Sequence, residues 1–221
     1  MTFGTILDTS MDPMEETRFK KKHSVLINQL ARKTHFDVQE VETLLVIYYK
    51  LQKDGPEKQM GVNKSQFRDF LHKCLNMTDD YLMDKIFLAV DKGPVQYLSM
   101  ETWITTLSLF LRGTLEEHII FCFSVYDMMG EGILGRETMF NLLRTSIIGQ
   151  TEEDSEEAAK DLIEVITKKM DLDRDGKISF NDYRQTVLAN PMLLEAFGYC
   201  LPSRGDINAF QTTFTNHVGK M

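Results

Sequence analysis

Apolar residues recur along most of this chain at intervals of three and four positions, the spacing that places them on one face of an α-helix. The segment 159–170 carries this pattern at Leu162, Ile163, Ile166 and Met170. A mostly polar stretch follows at 171–182, with the apolar Ile178 at its eighth position, and Tyr183 opens the next helical pattern. Long alternating strands are absent from the sequence, so the pattern predicts a helix, a loop and a second helix.

The same frame recurs upstream of this segment. Loops that begin at Asp91 and Asp127 also have an apolar eighth position, Leu98 and Leu134, and a weaker copy is centred on Val62. The starts Asp91, Asp127 and Asp171 lie 36 and 44 residues apart, which indicates repeated helix–loop–helix units. The backbone of the eighth position can pair with that of a neighbouring loop, so four units predict two paired lobes.

The prediction is therefore an all-α fold with two lobes, four mostly degenerate units and an additional C-terminal helix at 191–197. Gly113 ends one helix, and Thr114 followed by Glu117 is typical of a capped restart. The predicted organisation is an N-terminal extension at 1–23, lobes at 24–112 and 113–198, and a tail at 199–221. The tail from 203 has little periodicity, and we expect it to become ordered only in an assembly.

The fourth loop, 171–182, carries oxygen donors at the spacing that a calcium ion requires. Ca²⁺ takes about six to eight oxygen ligands, supplied in a 12-residue loop by positions 1, 3, 5, 7, 9 and 12, with glycine at position 6. Gly176 occupies position 6. The predicted ligands are Asp171, Asp173, Asp175, the backbone carbonyl of Lys177, Ser179 and Asp182. This is the EF-hand motif.

Position 12 of this loop departs from the usual glutamate. Asp182 is one methylene shorter, which makes bidentate coordination harder. We therefore expect one Ca²⁺ site that is weaker than usual and tolerates Mg²⁺, the smaller ion with octahedral preference.

The other three loops lack a full ligand set. The third, 127–138, has Met129 at position 3, Gly135 at position 9 and Thr138 at position 12, so we expect it to fold without metal. The second loop, 91–102, has no carboxylate at positions 3, 5 or 12. The first carries Lys53 and Lys58, which would repel a cation.

Composition narrows the possible functions. The net charge of −8 over 221 residues argues against a nucleic-acid partner, although it is also compatible with ordinary solubility. Three dispersed cysteines indicate a reducing compartment, and no segment has the length and apolarity of a membrane span or a secretion signal. No nucleophile–base or P-loop motif occurs, and the five histidines have no ligand spacing, so we expect no enzymatic activity.

Several stretches resemble the neuronal-calcium-sensor branch of the EF-hand superfamily, and within it the calaxin family. These are Asn-Met-Thr-Asp-Asp at 76–80, Leu-Ser-Leu-Phe-Leu-Arg-Gly-Thr-Leu-Glu-Glu at 107–117, Lys-Lys-Met-Asp at 168–171 and Leu-Leu-Glu-Ala-Phe-Gly at 193–198. The resemblance covers about 24–202, and only the fourth ligand set of the family transfers to this chain.

The resemblance implies a calcium-binding subunit of the axoneme, in the cytoplasm of motile cilia and sperm flagella. The implied partners are the coiled coils of the outer dynein arm docking complex, the dynein heavy chain and the doublet microtubule, with no membrane or nucleic acid. The subunit would tune dynein attachment or activity. The alternatives are a soluble cytosolic Ca²⁺ sensor and a metal-independent EF-hand-like structural adaptor.

Overall fold

The computed structural model describes residues 11–54, 61–91, 97–144, 147 and 152–215. Within these residues the chain is all-α apart from four two-residue strands, which confirms the predicted fold class. The helices are α1 Pro13–Lys33, α2 Val38–Asp54, α3 Lys64–Leu75, α4 Asp80–Val90, α5 Met100–Arg112, α6 Leu115–Tyr126, α7 Arg136–Leu143, α8 Glu152–Met170, α9 Phe180–Ala189 and α10 Arg204–Gln211. The strands are β1 Val62–Asn63, β2 Tyr97–Leu98, β3 Ile133–Leu134 and β4 Ile178–Ser179.

The four strands join the loops in pairs. Val62 of β1 faces Leu98 of β2, and Leu134 of β3 faces Ile178 of β4, both in antiparallel register. All four residues are fully or almost fully buried. The eighth positions therefore pair as predicted, the first loop with the second and the third with the fourth.

Side-chain caps begin several of the helices. Thr114 and Glu117 form a reciprocal capping box at the start of α6, which confirms the predicted restart after Gly113. Asn63 caps α3 in the same way. Each cap satisfies backbone N–H groups that the first helical turn leaves without partners.

The chain divides into two compact units. Unit 1 contains 1–78, 90–113 and 202–221, and unit 2 contains 79–89 and 114–201. The predicted lobes differ from this division because α4 belongs mainly to unit 2 and the tail belongs to unit 1. The predicted extension at 1–23 also ends inside α1, which runs without interruption to Lys33.

The core of unit 1 is built around Trp103, which is fully buried. Its ring packs edge-on against Phe70, with centroids 4.6 Å apart, and its indole N–H donates to the carbonyl of Leu44. Phe67 and Tyr48 contact the same ring. Close aromatic packing of this kind holds the helix pairs together independently of any cation.

The tail corrects the expectation that residues from 203 onwards order only in an assembly. Ser203 caps α10, whose Phe210 is buried and contacts Phe70 at 5.5 Å between ring centroids. Gln211 is also buried and donates to the carbonyl of Leu111. The physical reason is this apolar anchorage on α3 and α5, which weak periodicity in the sequence does not reveal.

The predicted C-terminal helix at 191–197 is instead a 3-10 turn, Pro191–Leu193, followed by turns, and the α-helix after α9 is α10. Phe197 is fully buried and packs against Tyr126 with ring centroids 5.5 Å apart. Gly198 has φ +129, and a Cβ there would lie 2.5 Å from a methyl carbon of Leu82. This close approach to α4 explains why α4 belongs to unit 2.

Two further features complete the description of the helices. The strongly acidic stretch 152–157 forms the first turns of α8. Among the described residues, no helix combines the length and the apolar character needed to cross a bilayer.

Candidate metal site

The fourth loop lies between the end of α8 and the start of α9. The backbone N–H of Asp171 donates to the carbonyl of Thr167, so the first predicted ligand still belongs to the last turn of α8. At the other end, β4 pairs with β3, and the N–H of Phe180 donates to the carbonyl of Gly132. The loop is therefore fixed at both ends by backbone hydrogen bonds.

Three of the predicted ligands converge in this loop. Asp171, Asp173 and Asp175 each place a carboxylate oxygen within 4.8 Å of the other two. Asp173 and Asp175 are exposed and Asp171 is half-buried, so a cation could reach all three from solvent. Within the described part of the chain, no other group of three or more acidic, histidine or cysteine side chains has such a geometry.

Backbone amides hold the first carboxylate in place. Asp171 accepts from the N–H of Asp175 through Oδ1, at 3.2 Å, and from the N–H of Gly176 through Oδ2, at 2.9 Å. Asp175 accepts from the N–H of Lys177 at 2.7 Å. These bonds wrap the loop around its own carboxylates, which lowers the conformational entropy that cation binding would otherwise have to remove.

The last two predicted ligands lie together as a helix cap. Asp182 is buried, and its Oδ2 accepts from the N–H of Ser179 at 3.1 Å and from its hydroxyl at 2.6 Å. The N–H of Asp182 donates back to Ser179 Oγ. Both side chains thus begin α9, and they are not part of the three-carboxylate cluster.

Neighbouring negative charges affect the pKa of Asp173. A hydrogen bond from the Asp175 backbone is the largest single influence and lowers its pKa. Desolvation, the charges of Asp175 and Asp182 and a contact with Asp171 together outweigh that influence, so the pKa of Asp173 is raised. A divalent cation would relieve this repulsion among the carboxylates. The donor set therefore fits a hard cation, with the three aspartates as its charged ligands and the Lys177 carbonyl, Ser179 and Asp182 as candidates for the remainder.

The backbone of the loop requires two left-handed residues. Gly176 has φ +84, as its position in the motif requires, while Arg174 has φ +62. A left-handed conformation costs an ordinary residue about 1–2 kcal/mol, and glycine adopts it readily. Sequence reasoning overlooked Arg174, although the third loop carries Gly130 at the same position 4, with φ +69.

The third loop has the same backbone arrangement with fewer ligands. Asp127 accepts from the N–H of Glu131 through Oδ1 and from the N–H of Gly132 through Oδ2, as Asp171 does in the fourth loop. Met129, at position 3, is 87% exposed and offers no oxygen. The loop geometry is thus retained by one aspartate, hydrogen bonds and strand pairing.

The first two loops fall partly outside the described residues, at 55–60 and 92–96, so the sequence predictions for those positions stay predictions. The same holds for the ligand assignment in the fourth loop, for which the structure supplies a compatible arrangement.

Paired helix–loop–helix units with one carboxylate-rich loop define the class of EF-hand proteins. The family model for an EF-hand domain pair matches residues 116–188, which includes the third and fourth loops. The chain is 43% identical to Calaxin from Danio rerio over 83% of this chain and 89% of that protein.

It is also 44% identical to Calaxin from Xenopus laevis, over 80% of this chain and 86% of that protein. Calaxin from Homo sapiens is 44% identical over 83% of this chain and 89% of its own length. This chain therefore belongs to the calaxin family. Family membership and the EF-hand pair make it a calcium-binding EF-hand protein.

Proposed function

We propose that this protein is an axonemal subunit of motile cilia or flagella that associates with the outer dynein arm docking complex and tunes dynein attachment or activity. In this proposal it contacts the coiled coils of that complex, the dynein heavy chain and the doublet microtubule. The support is membership of the calaxin family, over four fifths of the chain or more in each comparison above.

A single Ca²⁺ site in the fourth loop forms the second part of the proposal. The observation that carries it is the convergence of Asp171, Asp173 and Asp175 within 4.8 Å. The third loop repeats the backbone of the fourth, but Met129 at position 3 and Gly135 at position 9 offer no side-chain oxygen, and Thr138 at position 12 offers no carboxylate. The ion would cross-link the end of α8 to the start of α9, which are the elements that the carboxylates join.

Calorimetric titration with Ca²⁺ tests the site. We expect one saturating event, lost in Asp171→Ala and retained in Asp127→Ala, the matched aspartate at position 1 of the third loop. The same titration in Mg²⁺ should show weaker apparent Ca²⁺ affinity, because both ions would compete for oxygen ligands. Equal loss in both variants, or binding that survives Asp171→Ala, would remove the assignment.

Fractionation of demembranated flagella tests the location. The native protein should remain with the axoneme after a salt wash. Under conditions that release the outer dynein arm docking components, it should be released together with them. Recovery in the detergent extract together with cytosolic proteins would contradict an axonemal role and favour a diffusible sensor.

One observation favours a second candidate, a metal-independent structural adaptor. The third loop keeps its EF-hand backbone with Asp127 alone, so a hand of this chain can be held by packing and hydrogen bonds. The two candidates differ in one result: Asp171→Ala would leave axonemal association unchanged in the presence and absence of Ca²⁺ if the adaptor function alone operates.

A further inference from the structure

A groove of about 640 Å³ lies beside α1 in unit 1, and its lining includes Arg18, Lys22 and His23. Phe19 and Tyr49 also line it, with ring centroids 5.0 Å apart. The imidazole of His23 lies against the Phe19 ring at 4.7 Å. Because Phe19 is buried and the side chains of Arg18 and Lys22 are exposed, the groove combines an apolar base with a positive edge.

Two other lysines near this groove, Lys20 and Lys53, already have carboxylate partners. Lys20 pairs with Glu16 at 2.8 Å and with Glu42 at 2.9 Å. Lys53 pairs with Glu15 at 3.2 Å. Neutralised lysines of this kind add little attraction for an incoming anion.

Arg18 and Lys22 differ from these lysines. Both are exposed, and neither forms an ion pair with a residue in the described part of the chain. They are four positions apart on α1, so their side chains lie on the same face of the helix. In a chain with a net charge of −8, two unpaired cations at the edge of one concave surface form a local positive region.

We propose that this groove, lined by Arg18, Lys22, Phe19 and Tyr49, docks an acidic segment of a protein partner. Carboxylates of the segment would pair with Arg18 and Lys22, and an apolar or aromatic side chain would pack against the two rings. Arginine presents a fork of N–H donors that matches a carboxylate, and an aromatic base supplies apolar contact area. Charge complementarity identifies the occupant, because Arg18 and Lys22 form no ion pair within the described part of the chain.

Several features favour a peptide over a phosphate-rich surface. The site is concave and has an aromatic base, whereas an anionic membrane meets a protein through an exposed, flat basic surface. Glu15 also lines the groove, and its carboxylate already accepts from the Tyr49 hydroxyl and pairs with Lys53. Gln52, another lining residue, carries an amide that can donate to or accept from a peptide backbone.

The proposal does not depend on the metal site or on axonemal location, so the test uses the full chain with EDTA present. The probe is a fluorescein-labelled, glutamate-rich peptide with one central phenylalanine, followed by fluorescence anisotropy. We expect saturable binding that weakens about tenfold in Arg18→Glu and in Lys22→Glu, because each variant replaces an attraction with a repulsion. At about 1 M NaCl, where the screening length is about 3 Å, the affinity should fall strongly.

Lys21→Glu is the matched control. Lys21 is exposed on the same helix and undergoes the same charge change, but it does not line the groove. We expect less than about a twofold effect from it. A peptide with glutamine in place of every glutamate should bind weakly, and circular dichroism should be unchanged in all three variants.

Three results would overturn the proposal. One is equal weakening by all three variants, which would indicate general charge attraction. The second is absence of saturable peptide binding by the unmodified chain. The third is binding to phosphatidylserine vesicles that requires Arg18 and Lys22, together with no binding of the peptide. This result would identify the groove as a membrane contact instead.

Discussion

The hydroxyl of Tyr126 donates a hydrogen bond of 2.7 Å to the backbone carbonyl of Gly198. Tyr126 is the last residue of α6, directly before the third loop. Tyr183, directly after the fourth loop, donates in the same way to the carbonyl of Leu194. The two tyrosines that flank the paired loops therefore hold the segment 191–201 in place through hydrogen bonds to its backbone. Because the acceptors are backbone carbonyls, the side-chain pattern of that segment does not predict these contacts.

Tyr126→Phe should loosen the segment 191–201. Tyr126 is fully buried and its hydroxyl also accepts from the thiol of Cys200, so the variant leaves buried polar groups without this partner. We expect the free energy of unfolding to fall by about 1–3 kcal/mol in urea titration, with faster amide hydrogen exchange across the segment. Tyr199→Phe, at a residue that is 77% exposed, should leave both measurements unchanged. Equal exchange in the two variants would contradict the assigned role.

Asp182→Glu should strengthen Ca²⁺ binding relative to Mg²⁺. The longer side chain can reach a cation with both oxygens, and glutamate is also the usual partner of serine in a capping box, so the start of α9 is preserved. We expect about tenfold tighter Ca²⁺ binding by calorimetry. The control is Asp182→Asn, which keeps the size of the side chain and removes its charge. Unchanged affinity in the glutamate variant would show that this side chain serves only as a helix cap.

Arg174→Gly should stabilise the fourth loop. The residue has φ +62, where the third loop has glycine, and the substitution removes a positive charge next to the three aspartates. We expect the folded state to gain about 0.5–1 kcal/mol after the added flexibility of the unfolded chain is included, and Ca²⁺ to bind more tightly. Arg174→Ala removes the charge but keeps the backbone strain, so thermal unfolding of the two variants separates the causes. A lower melting temperature for the glycine variant than for the alanine variant would be inconsistent with strain at this position.

The ion pair of Glu40 and Arg112 should make unit 1 sensitive to acid. Both carboxylate oxygens of Glu40 accept from the guanidinium, at 2.6 and 2.8 Å. Burial alone would raise the pKa of Glu40, but the hydrogen bonds from Arg112 and other donors outweigh it and lower the pKa to about 2. The pair thus contributes stability that is present above about pH 4.5 and is lost as the pH falls towards 2.

The measurement is the difference in unfolding free energy between the unmodified chain and Glu40→Gln as a function of pH. We expect this difference to shrink by about 3 kcal/mol between pH 5 and 2, following 1.36 kcal/mol for each unit of pKa shift. Glu101→Gln, which breaks an exposed pair with Lys33, is the control. The difference in unfolding free energy between this variant and the unmodified chain should change by less than about 1 kcal/mol over the same pH range. A difference that is independent of pH would contradict the lowered pKa.

Phe210→Ala should detach the tail helix from unit 1. Phe210 is 4% exposed and contacts Phe70, which in turn packs against Trp103, the single tryptophan of the chain. Loss of a buried phenylalanine costs about 3–5 kcal/mol, and we expect tryptophan emission to shift to longer wavelength as water approaches the ring. Ala209→Ser, at the exposed neighbouring residue, is the control. Unchanged emission and stability in Phe210→Ala would show that the tail does not anchor to this core.

The amino-acid sequence by itself determined the helical class, the pairing of the loops and the position of the carboxylates in the fourth loop. Each of these features depends on local periodicity or on a fixed spacing within twelve residues, and both can be recognised in the amino-acid sequence alone. Ile178 and Leu134 are an example, because their place in the frame predicted that they would face each other.

Only the tertiary structure decided which elements pack into which unit. The burial of Phe210 on Phe70 and the approach of Gly198 to Leu82 join residues that are far apart in the chain, and neither contact has a local pattern. The strained backbone at Arg174 likewise comes from closure of the whole loop. Local spacing in the sequence determines the helices, the strands and the candidate ligands. The position of each helix in the fold depends instead on which apolar surface it buries, and that surface is formed by residues distant in the sequence.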